Sequence, residues 1–279
     1  MMKLRLLHIS DLNSYFEALA KIATAIVKIR DNNTVVLDSG DNADFMRLET
    51  EGTSGRISSA ILNKIGFHAR VFGNNESFAG KINRKIIAES SNFPIVTCNI
   101  YDFDGTSLEY LEDSVIIDVS GLKVLIIGVT APSDVWYELF ELLVIDPQAE
   151  ITGVLSTYEK DEYDVVVLLS HLGLEKDKKI ASKNPNIDII IGGHSHISLK
   201  EPIVENQTII CQAGKYGKYL GELILEYDNE SRSNRDFKGR LIPSENFPPL
   251  PAICELIHNY SKKANETLSR QLYQLDTPT

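Results

Sequence analysis

Two histidines with a spacing suited to metal binding follow a short apolar segment in the second half of the chain. The apolar residues 187–191 lead directly into a Gly-Gly-His-Ser-His motif at 192–196. On an extended chain, residues i and i+2 point to the same side, so the imidazoles of His194 and His196 can converge on one cation. A pair of surface histidines in a loop is the alternative. The motif alone is weak evidence, and the interpretation depends on further ligands.

Similar polar residues follow four other apolar segments of the chain. Open α/β sheets place their ligand sites at these carboxyl ends of strands. Carboxylate, amide and imidazole groups are ligands of Mn, Fe, Zn or Ni, and two such ions sharing a carboxylate can bind a phosphoryl group and activate a water. Capping of the following helices is the alternative for the two aspartates, and a turn conformation is the alternative for the asparagine. The candidate ligands are Asp11, Asp41, Asn74, His171, His194 and His196.

Apolar segments with strand character alternate with segments of helical period, which predicts an α/β fold. The helix predicted at about 16–30 has Leu19, Ile22, Ala23, Ile26 and Val27 on its inner face, and a helix with one apolar face closes the chain. Residues 228–239 are polar and predict a loop or hairpin tip. The predicted strands are 4–9, 35–37, 71–72, 94–97, 115–119, 123–129, 165–169, 187–191, 203–205, 208–212 and 219–227. The other predicted helices are 54–65, about 82–89, and one carrying residues 176–183.

Composition limits the classes of partner. The chain has 279 residues and a net charge of −11, which argues against nucleic-acid polymers and anionic membranes as partners. A small phosphorylated substrate stays compatible, because bound cations reverse the local charge. No apolar stretch is long enough to cross a bilayer, and no signal-peptide pattern is present. Cys98, Cys211 and Cys254 form no close pair, so we expect reduced thiols and a cytoplasmic protein.

Five motifs in a fixed order make the chain similar to a known family. The chain resembles the calcineurin-like metallophosphoesterases, and within them the catalytic domain of the 5′-nucleotidase and 2′,3′-cyclic phosphodiesterase family. That family has the order DxH, GD, GNH(D/E), a histidine at a strand end, and GHxH. The resemblance covers about residues 3–227, including AGKYGKYLG at 213–221. The motifs here are Asp11-Leu12-Asn13, Gly40-Asp41, Gly73-Asn74-Asn75-Glu76, Ser170-His171 and Gly193-His194-Ser195-His196.

The resemblance implies a fold and a ligand set. The implied fold is a four-layer αββα sandwich of two mixed sheets, the metallo-dependent phosphatase fold, with a catalytic domain at 1–245 and a C-terminal helix and linker at 246–279. Two divalent metal ions are implied (Mn, Fe, Zn or Ni, with Mn favoured), and Asp41 bridges them. One ion is assigned to Asp11, Asp41 and His196, with Asn13 in the place of a histidine. The other is assigned to Asp41, Asn74, His171 and His194.

Two departures from the family pattern concern the chemistry. Asn13 stands where DxH has histidine, and it is either a weaker ligand or a turn residue that does not ligate. Asn75 stands where GNH has histidine, and Phe78 stands where the aspartate that orients this histidine would be. GNNE-like motifs occur in a bacterial branch of the family. We expect Asn75 to donate a hydrogen bond to a phosphate oxygen, which makes Asp41 and Asn75 the candidate catalytic residues.

The expected function is hydrolysis of a phosphate ester, of nucleotide type, by a hydroxide that bridges the two metals. The alternative is a metal- and phosphate-binding protein whose turnover is weak or lost because Asn13 and Asn75 replace histidines. A third reading is a catalytic part that works only with a partner domain. Relatives carry a C-terminal nucleotide-binding domain, and this chain ends at residues 276–279, about where the linker to that domain would begin.

Overall fold

A computed structural model describes residues 2–132, 134–228, 230 and 233–276. Within these residues, strands and helices alternate through most of the chain. The strands are β1 (Met2–Ile9), β2 (Thr34–Asp38), β3 (Ala69–Arg70), β4 (Ile100–Asp102), β5 (Ser114–Val119), β6 (Leu122–Thr130), β7 (Leu142–Val144), β8 (Val165–His171), β9 (Ile189–Gly192), β10 (Ile203–Glu205), β11 (Thr208–Gln212), β12 (Tyr219–Asp228) and β13 (Ser233–Pro243). The helices are α1 (Phe16–Ile29), α2 (Leu48–Glu51), α3 (Arg56–Ile65), α4 (Asn74–Ser77), α5 (Lys81–Glu89), α6 (Asp134–Leu139), α7 (Pro147–Ser156), α8 (Leu174–Lys183) and α9 (Pro251–Asp276).

The long strands form two mixed sheets. The first has the order β13-β12-β1-β2-β3, in which β1 is parallel to β2 and antiparallel to β12. The second has the order β10-β11-β9-β8-β6-β5, in which β11, β9, β8 and β6 are parallel and the two edge strands are antiparallel to their neighbours. The central strands are apolar on both faces, as expected where both faces are covered.

The two sheets pack face to face and are covered by helices on their outer faces. Strand alternation divides β1 between two cores: Leu4 and Leu6 face the other sheet, whereas Leu7 and Ile9 face α1, α3 and α9. The outer face of the second sheet packs on α7 and α8. This arrangement confirms the predicted four-layer αββα sandwich. The residues that fill the space between the sheets include Val35, Leu37, Val124, Ile126, Val165, Val167, Ile189 and Ile191.

Helix α1 confirms the predicted amphipathic helix with one exception. Leu19, Ile22, Ala23 and Ile26 are buried against the first sheet, but Val27 is 55% exposed. Val27 lies at the edge of the apolar stripe, where the helix surface turns toward solvent.

The prediction of a loop or hairpin tip over residues 228–239 was wrong for residues 233–239, which belong to strand β13. Strand β13 pairs antiparallel with β12 from Tyr219↔Pro243 to Asp228↔Ser233; residues 229, 231 and 232 lie outside the described residues. β13 is an edge strand, so it needs only one hydrogen-bonding neighbour and can carry polar side chains. The predicted strand at 71–72 was also misplaced, because β3 ends at Arg70.

The C-terminal helix packs on the helical layer over the first sheet. Helix α9 begins at Pro251, a residue suited to the first helical position, and buries Ile253 and Ala264. A Cβ at Gly52 would lie 2.7 Å from the backbone of Ala264, so this crossing depends on a glycine. Among the described residues, no helix combines the length and apolar character needed to cross a membrane.

Candidate metal centre

The carboxyl ends of five strands place the predicted ligands in one cluster. The first sheet supplies Asp11 and Asn13 after β1, Asp41 after β2, and the asparagines of α4 after β3. The second sheet supplies His171 at the end of β8 and the two histidines that follow β9. Oxygen ligands therefore come from one sheet and imidazoles from the other. The structure brings together Asp11, Asn13, Asp41, Asn74, Asn75, His171, His194 and His196.

One side of the cluster, here called the imidazole-rich half, consists of Asp41, Asn74, His171 and His194. Nε2 of His171 lies 3.3 Å from Oδ1 of Asp41 and 3.3 Å from Oδ1 of Asn74. Nδ1 of His194 lies 3.0 Å from the same oxygen of Asn74. Two imidazole nitrogens and two oxygens thus face one small volume. His171 is fully buried.

The other side, here called the oxygen-rich half, consists of Asp11, Asn13, Asp41 and His196. Nε2 of His196 lies 3.4 Å from Oδ1 of Asp11, and the backbone N–H of His194 donates to both carboxylate oxygens of Asp11 at 3.1 Å. One ligating atom from each of Asp11, Asp41 and His171 lies within 4.8 Å of the other two. Asp41 and Asp11 therefore connect the two halves.

These separations fit divalent metal ions. Ligand atoms at about 2.1 Å from a common ion lie about 3.0–3.4 Å from one another in tetrahedral or octahedral geometry. The contacts within the two halves fall between 3.0 and 3.4 Å. The donor set is one of oxygens and imidazoles, which suits Mn, Fe, Zn or Ni and not a thiolate-selective ion.

The backbone holds His171 in the tautomer that a metal ligand requires. Its Nδ1–H donates to the carbonyl oxygen of Ser39 at 2.7 Å, which directs Nε2 toward Asp41. Burial alone would lower the pKa of His171, but the neighbouring Asp41 carboxylate raises this pKa to about 10. In the protein without metal, a proton on Nε2 therefore occupies the position where a cation would bind.

The two aspartates carry negative charge into a buried site. Burial raises the pKa of Asp11 to about 7, with the His171 charge opposing this shift and the nearby Asp41 carboxylate adding to it. Burial also favours a raised pKa for Asp41, but the His171 imidazolium and the hydrogen bonds outweigh it and lower this pKa. Two buried carboxylates facing one imidazolium leave negative charge that divalent cations would compensate.

The structure decides against helix capping by the two aspartates. Helix α1 begins after Tyr15 and α2 begins after Arg47, and neither helix has a side-chain cap. Asp11 and Asp41 instead adopt left-handed conformations with φ of 50° and 54°. Such conformations cost free energy in non-glycine residues and occur often at functional sites. Asn13, His194 and His196 are also left-handed.

The histidines of the second sheet differ in environment from His171. Burial, together with the His171 charge, lowers the pKa of His194 to about 4. Burial also lowers the pKa of His196, although 39% of its side chain is exposed. Both rings are therefore neutral at pH 7, the form in which imidazole binds metal.

Sequence reasoning missed the residue that holds the Asp41 loop in place. Glu76 is fully buried, and its carboxylate accepts hydrogen bonds from the backbone N–H groups of Asp41, Asn42, Ala43 and Gly73 at 2.8–3.1 Å. The guanidinium of Arg70, also fully buried, donates to the same carboxylate at 2.6 Å. The GNNE motif contained Glu76, but the residue type alone does not show which backbone N–H groups will donate hydrogen bonds to its carboxylate.

Two glycines allow the ligand loops to approach closely. A Cβ at Gly73 would lie 2.1 Å from Oδ1 of Asp41, and a Cβ at Gly40 would lie 2.7 Å from Nδ1 of His171. Gly40 also has φ of +94°, which other residues rarely adopt. Both close approaches therefore depend on the absence of a Cβ at these positions.

Relatives with known sequences match the region that carries the motifs. The family model for calcineurin-like phosphoesterases matches residues 4–198, which include all the predicted ligands. The chain is 31% identical over 239 residues to the uncharacterized metallophosphoesterase YunD of Bacillus subtilis (strain 168), covering 83% of this chain and 52% of YunD. It is 25% identical over 269 residues to the trifunctional nucleotide phosphoesterase protein YfkN of the same organism, covering 81% of this chain and 18% of YfkN. The chain spans about half of YunD and a smaller part of YfkN.

Solved structures show the same fold. A 5′-nucleotidase precursor from Thermus thermophilus superimposes with a TM-score of 0.79 at 21% identity, covering 94% of this chain and 59% of that one. The calcineurin-like phosphoesterase YfkN from Bacillus subtilis superimposes with a TM-score of 0.78 at 21% identity, covering 95% of this chain and 98% of that one. At these identities the likeness concerns the fold. The family model, which matches more than half of the chain, shows that the chain belongs to the calcineurin-like phosphoesterases.

Proposed function

We propose that this chain hydrolyses phosphate esters of nucleotide type with the help of two divalent metal ions. The observation that carries the proposal is the set of candidate ligand atoms in two groups. Contacts in the imidazole-rich half are 3.0–3.3 Å long, and His196 lies 3.4 Å from Asp11 in the oxygen-rich half. Atoms of Asp11, Asp41 and His171 within 4.8 Å of one another join the two halves. Two cations held there would neutralise phosphoryl charge and lower the pKa of a water molecule. Membership of the calcineurin-like phosphoesterases supports the same reaction class.

The side chains divide the work by position. His171, His194 and Asn74 would hold one ion and Asp11 and His196 the other, with Asp41 shared. The Glu76 carboxylate fixes the backbone of the Asp41 loop, so the shared carboxylate is preorganised before substrate arrives. Asn75 stands beside Asp41, to which its backbone N–H donates at 2.8 Å, and its side-chain amide can donate to a phosphoryl oxygen.

The proposal also includes a nucleotide as the substrate, Mn as the metal and the cytoplasm as the cellular location of the protein. Relatives described as 5′-nucleotidases and as a nucleotide phosphoesterase support a nucleotide substrate. Mixed imidazole and oxygen ligands support Mn, Fe, Zn or Ni over Ca, and Mn is the ion that we propose. Free cysteines, two of them buried, support a reducing compartment and hence the cytoplasm.

The first experiment is hydrolysis of p-nitrophenyl phosphate, bis-p-nitrophenyl phosphate and a panel of nucleoside 5′-monophosphates and 2′,3′-cyclic monophosphates in the presence of Mn²⁺. Asp41→Asn is the control, because it removes the shared charge and keeps the shape of the side chain. Turnover that requires both Mn²⁺ and Asp41 is the expected result. Turnover that persists in the variant would assign the activity to another site or a contaminant.

The second candidate is a metal- and phosphate-binding protein with little or no turnover. The observation that favours it is the absence of a histidine at position 75, where a general acid contributes about 10²–10⁴ in rate. The same assays separate the two candidates. Folded, metal-loaded protein that binds inorganic phosphate and cleaves none of the esters would support the binding protein.

A further inference from the structure

Three asparagine side chains form a continuous line of hydrogen bonds across the site, here called the amide chain (Asn13, Asn75 and Asn74). Nδ2 of Asn13 donates to the carbonyl oxygen of Asp11 at 2.9 Å. Oδ1 of Asn13 accepts from Nδ2 of Asn75 at 2.7 Å. Nδ2 of Asn74 donates to Oδ1 of Asn75 at 3.3 Å. The amide chain thus runs from the oxygen-rich half to the imidazole-rich half.

The orientation of each amide in this chain follows from its neighbour. A backbone carbonyl can only accept, so the amide nitrogen of Asn13 must face Asp11 and its oxygen must face Asn75. Asn75 must then present its nitrogen to Asn13 and its oxygen to Asn74. Asn74 in turn directs its oxygen to Nε2 of His171 and Nδ1 of His194, at 3.3 and 3.0 Å. The hydrogen bonds therefore have the same donor-to-acceptor direction along the whole amide chain.

This direction leaves one side-chain N–H of Asn75 available to a substrate. Its Oδ1 is engaged by Asn74 and one hydrogen on Nδ2 by Asn13. The second hydrogen on Nδ2 has no protein acceptor among the residues that the structure describes. Its backbone N–H is anchored on Oδ1 of Asp41 at 2.8 Å, which places the amide beside the shared carboxylate. Asn75 therefore has an N–H donor that can be directed at the substrate.

Asn13 is the residue that orients the Asn75 side chain, and Phe78, three positions after Asn75, is not. Phe78 packs among aromatic rings, with centroid distances of 5.0 Å to Tyr137 and 5.2 Å to Phe140. It offers no polar atom to Asn75. Asn13, on the loop that follows β1, is the group that fixes the Asn75 amide, by accepting its hydrogen bond at 2.7 Å.

We propose that Asn13 is a positioning residue that orients the Asn75 amide toward a phosphoryl oxygen, and that this is its role in place of metal ligation. The inference rests on the proposed function, since a donor directed at a phosphoryl oxygen presupposes a phosphate ester or its product in the site. Both polar groups of the Asn13 side chain are already engaged, by Asp11 and by Asn75. Two hydrogen-bonded amides, Asn13 and Asn75, thus stand at the positions where the DxH and GNH motifs have histidines.

The test uses Asn13→Gly, which removes the amide without strain because Asn13 has φ of 50°. Asn206→Gly is the matched control: Asn206 has φ of 46° and lies between β10 and β11. We expect Asn13→Gly to lower kcat for p-nitrophenyl phosphate by about 10–100-fold. Removing a preorganised donor lowers kcat by about 10²–10³-fold, and this variant leaves the Asn75 amide in place but no longer held in one orientation. The stoichiometry and affinity of Mn²⁺, measured by calorimetry, should stay at the wild-type values.

A double-mutant cycle with Asn75→Ala separates positioning from independent effects. In the Asn75→Ala background, adding Asn13→Gly should cause no further loss. Multiplicative losses would overturn the inference. A lower Mn²⁺ stoichiometry in Asn13→Gly would also overturn it, and would identify Asn13 as a ligand. If wild-type protein cleaves no ester, the proposed function fails, and the cycle is then measured on the affinity for inorganic phosphate of the Mn²⁺-loaded protein. Equal phosphate affinities in wild type and Asn13→Gly would overturn the inference in that case.

Discussion

The imidazole-rich and oxygen-rich halves share Asp41 but differ in depth and in how firmly their ligands are held. His171 is fully buried and fixed by Ser39, whereas 39% of the His196 side chain is exposed. The imidazole-rich half presents two imidazoles and two oxygens. The oxygen-rich half presents one imidazole, two carboxylates and the amide of Asn13, which is hydrogen-bonded to Asn75. Ligand type and rigidity set metal affinity. We therefore expect the imidazole-rich half to bind its ion more tightly.

The largest effect should come from removing one imidazole from each half. His171→Gln should lower kcat/KM by about 10³-fold or more, because it removes a ligand and a buried hydrogen bond, and His196→Gln by about 10–100-fold. Metal analysis after dialysis should find one ion lost from each variant, with the His196→Gln ion restored at high Mn²⁺. Equal losses in both variants would contradict the difference between the halves. Circular dichroism would establish that both variants fold.

The next effect concerns Glu76, whose carboxylate holds the backbone of the Asp41 loop in place. Glu76→Gln should lower the free energy of unfolding by about 3–5 kcal/mol, because the buried Arg70 charge loses its nearest carboxylate and keeps only the more distant Asp38, at 3.9 Å. Glutamine also cannot accept at both oxygens, whereas Glu76 accepts at both. Denaturant unfolding measures this loss, and both metals should bind more weakly.

Glu222→Gln is the matched control for Glu76→Gln. Glu222 is also a buried glutamate with arginine partners, Arg5 and Arg240, but the Arg240 side chain is 67% exposed. The three residues lie on β12, β1 and β13 of the first sheet. A smaller loss of stability and unchanged metal binding are expected. Similar losses of metal affinity in both variants would mean that general destabilisation, and not the Asp41 loop, weakens the site.

A further effect is the dependence of metal affinity on pH. In the protein without metal, His171 with a pKa of about 10 is protonated at pH 7, and Asp11 with a pKa of about 7 is half protonated. Metal binding must displace these protons, so between about one and two protons should be released at pH 7 and affinity should rise with pH. Calorimetry in buffers of different ionisation enthalpy measures the release. Heat that is independent of the buffer would contradict this assignment of protons.

The smallest effect should come from adding an imidazole to the oxygen-rich half. Asn13→His is compatible with φ of 50°, because histidine is among the residues that adopt left-handed conformations. We expect Mn²⁺ affinity of this half to rise by about 10-fold, the effect of a modest improvement in ligation. kcat should not rise in parallel, because the Asn75 amide loses its partner. An increase in both would indicate that the amide chain has no positioning role.

Much of the fold could be predicted from the pattern of side chains. The buried strands read as continuous apolar segments, and residues 120–121 gave the turn between β5 and β6. The error at β13 has a physical cause, because an edge strand is stabilised by backbone hydrogen bonds that no side-chain pattern records. The two-stranded sheet of β4 and β7 is three residues long on each side, too short for alternation to be recognised.

The site was predicted as a set of residue types at strand ends, and all members lie together. Their roles as ligands stay a prediction that the metal measurements will test. The contacts among them could not be predicted. Residues 13 and 75 are 62 positions apart, and Glu76 accepts hydrogen bonds from backbone groups 33–35 positions away. Such contacts depend on loop geometry, which sequence spacing does not encode.

The sequence by itself determined the alternation of strands and helices, the family and the chemical identity of the donors, because hydrophobic period and motif order are local properties of the chain. Only the tertiary structure decided which donors face one another, which amide oxygen is engaged by a neighbour, and that Glu76 and Arg70 support the shared aspartate. The physical reason is that hydrogen bonds between loops require distances within a few tenths of an ångström. That precision arises only when two packed sheets fix the ends of their strands.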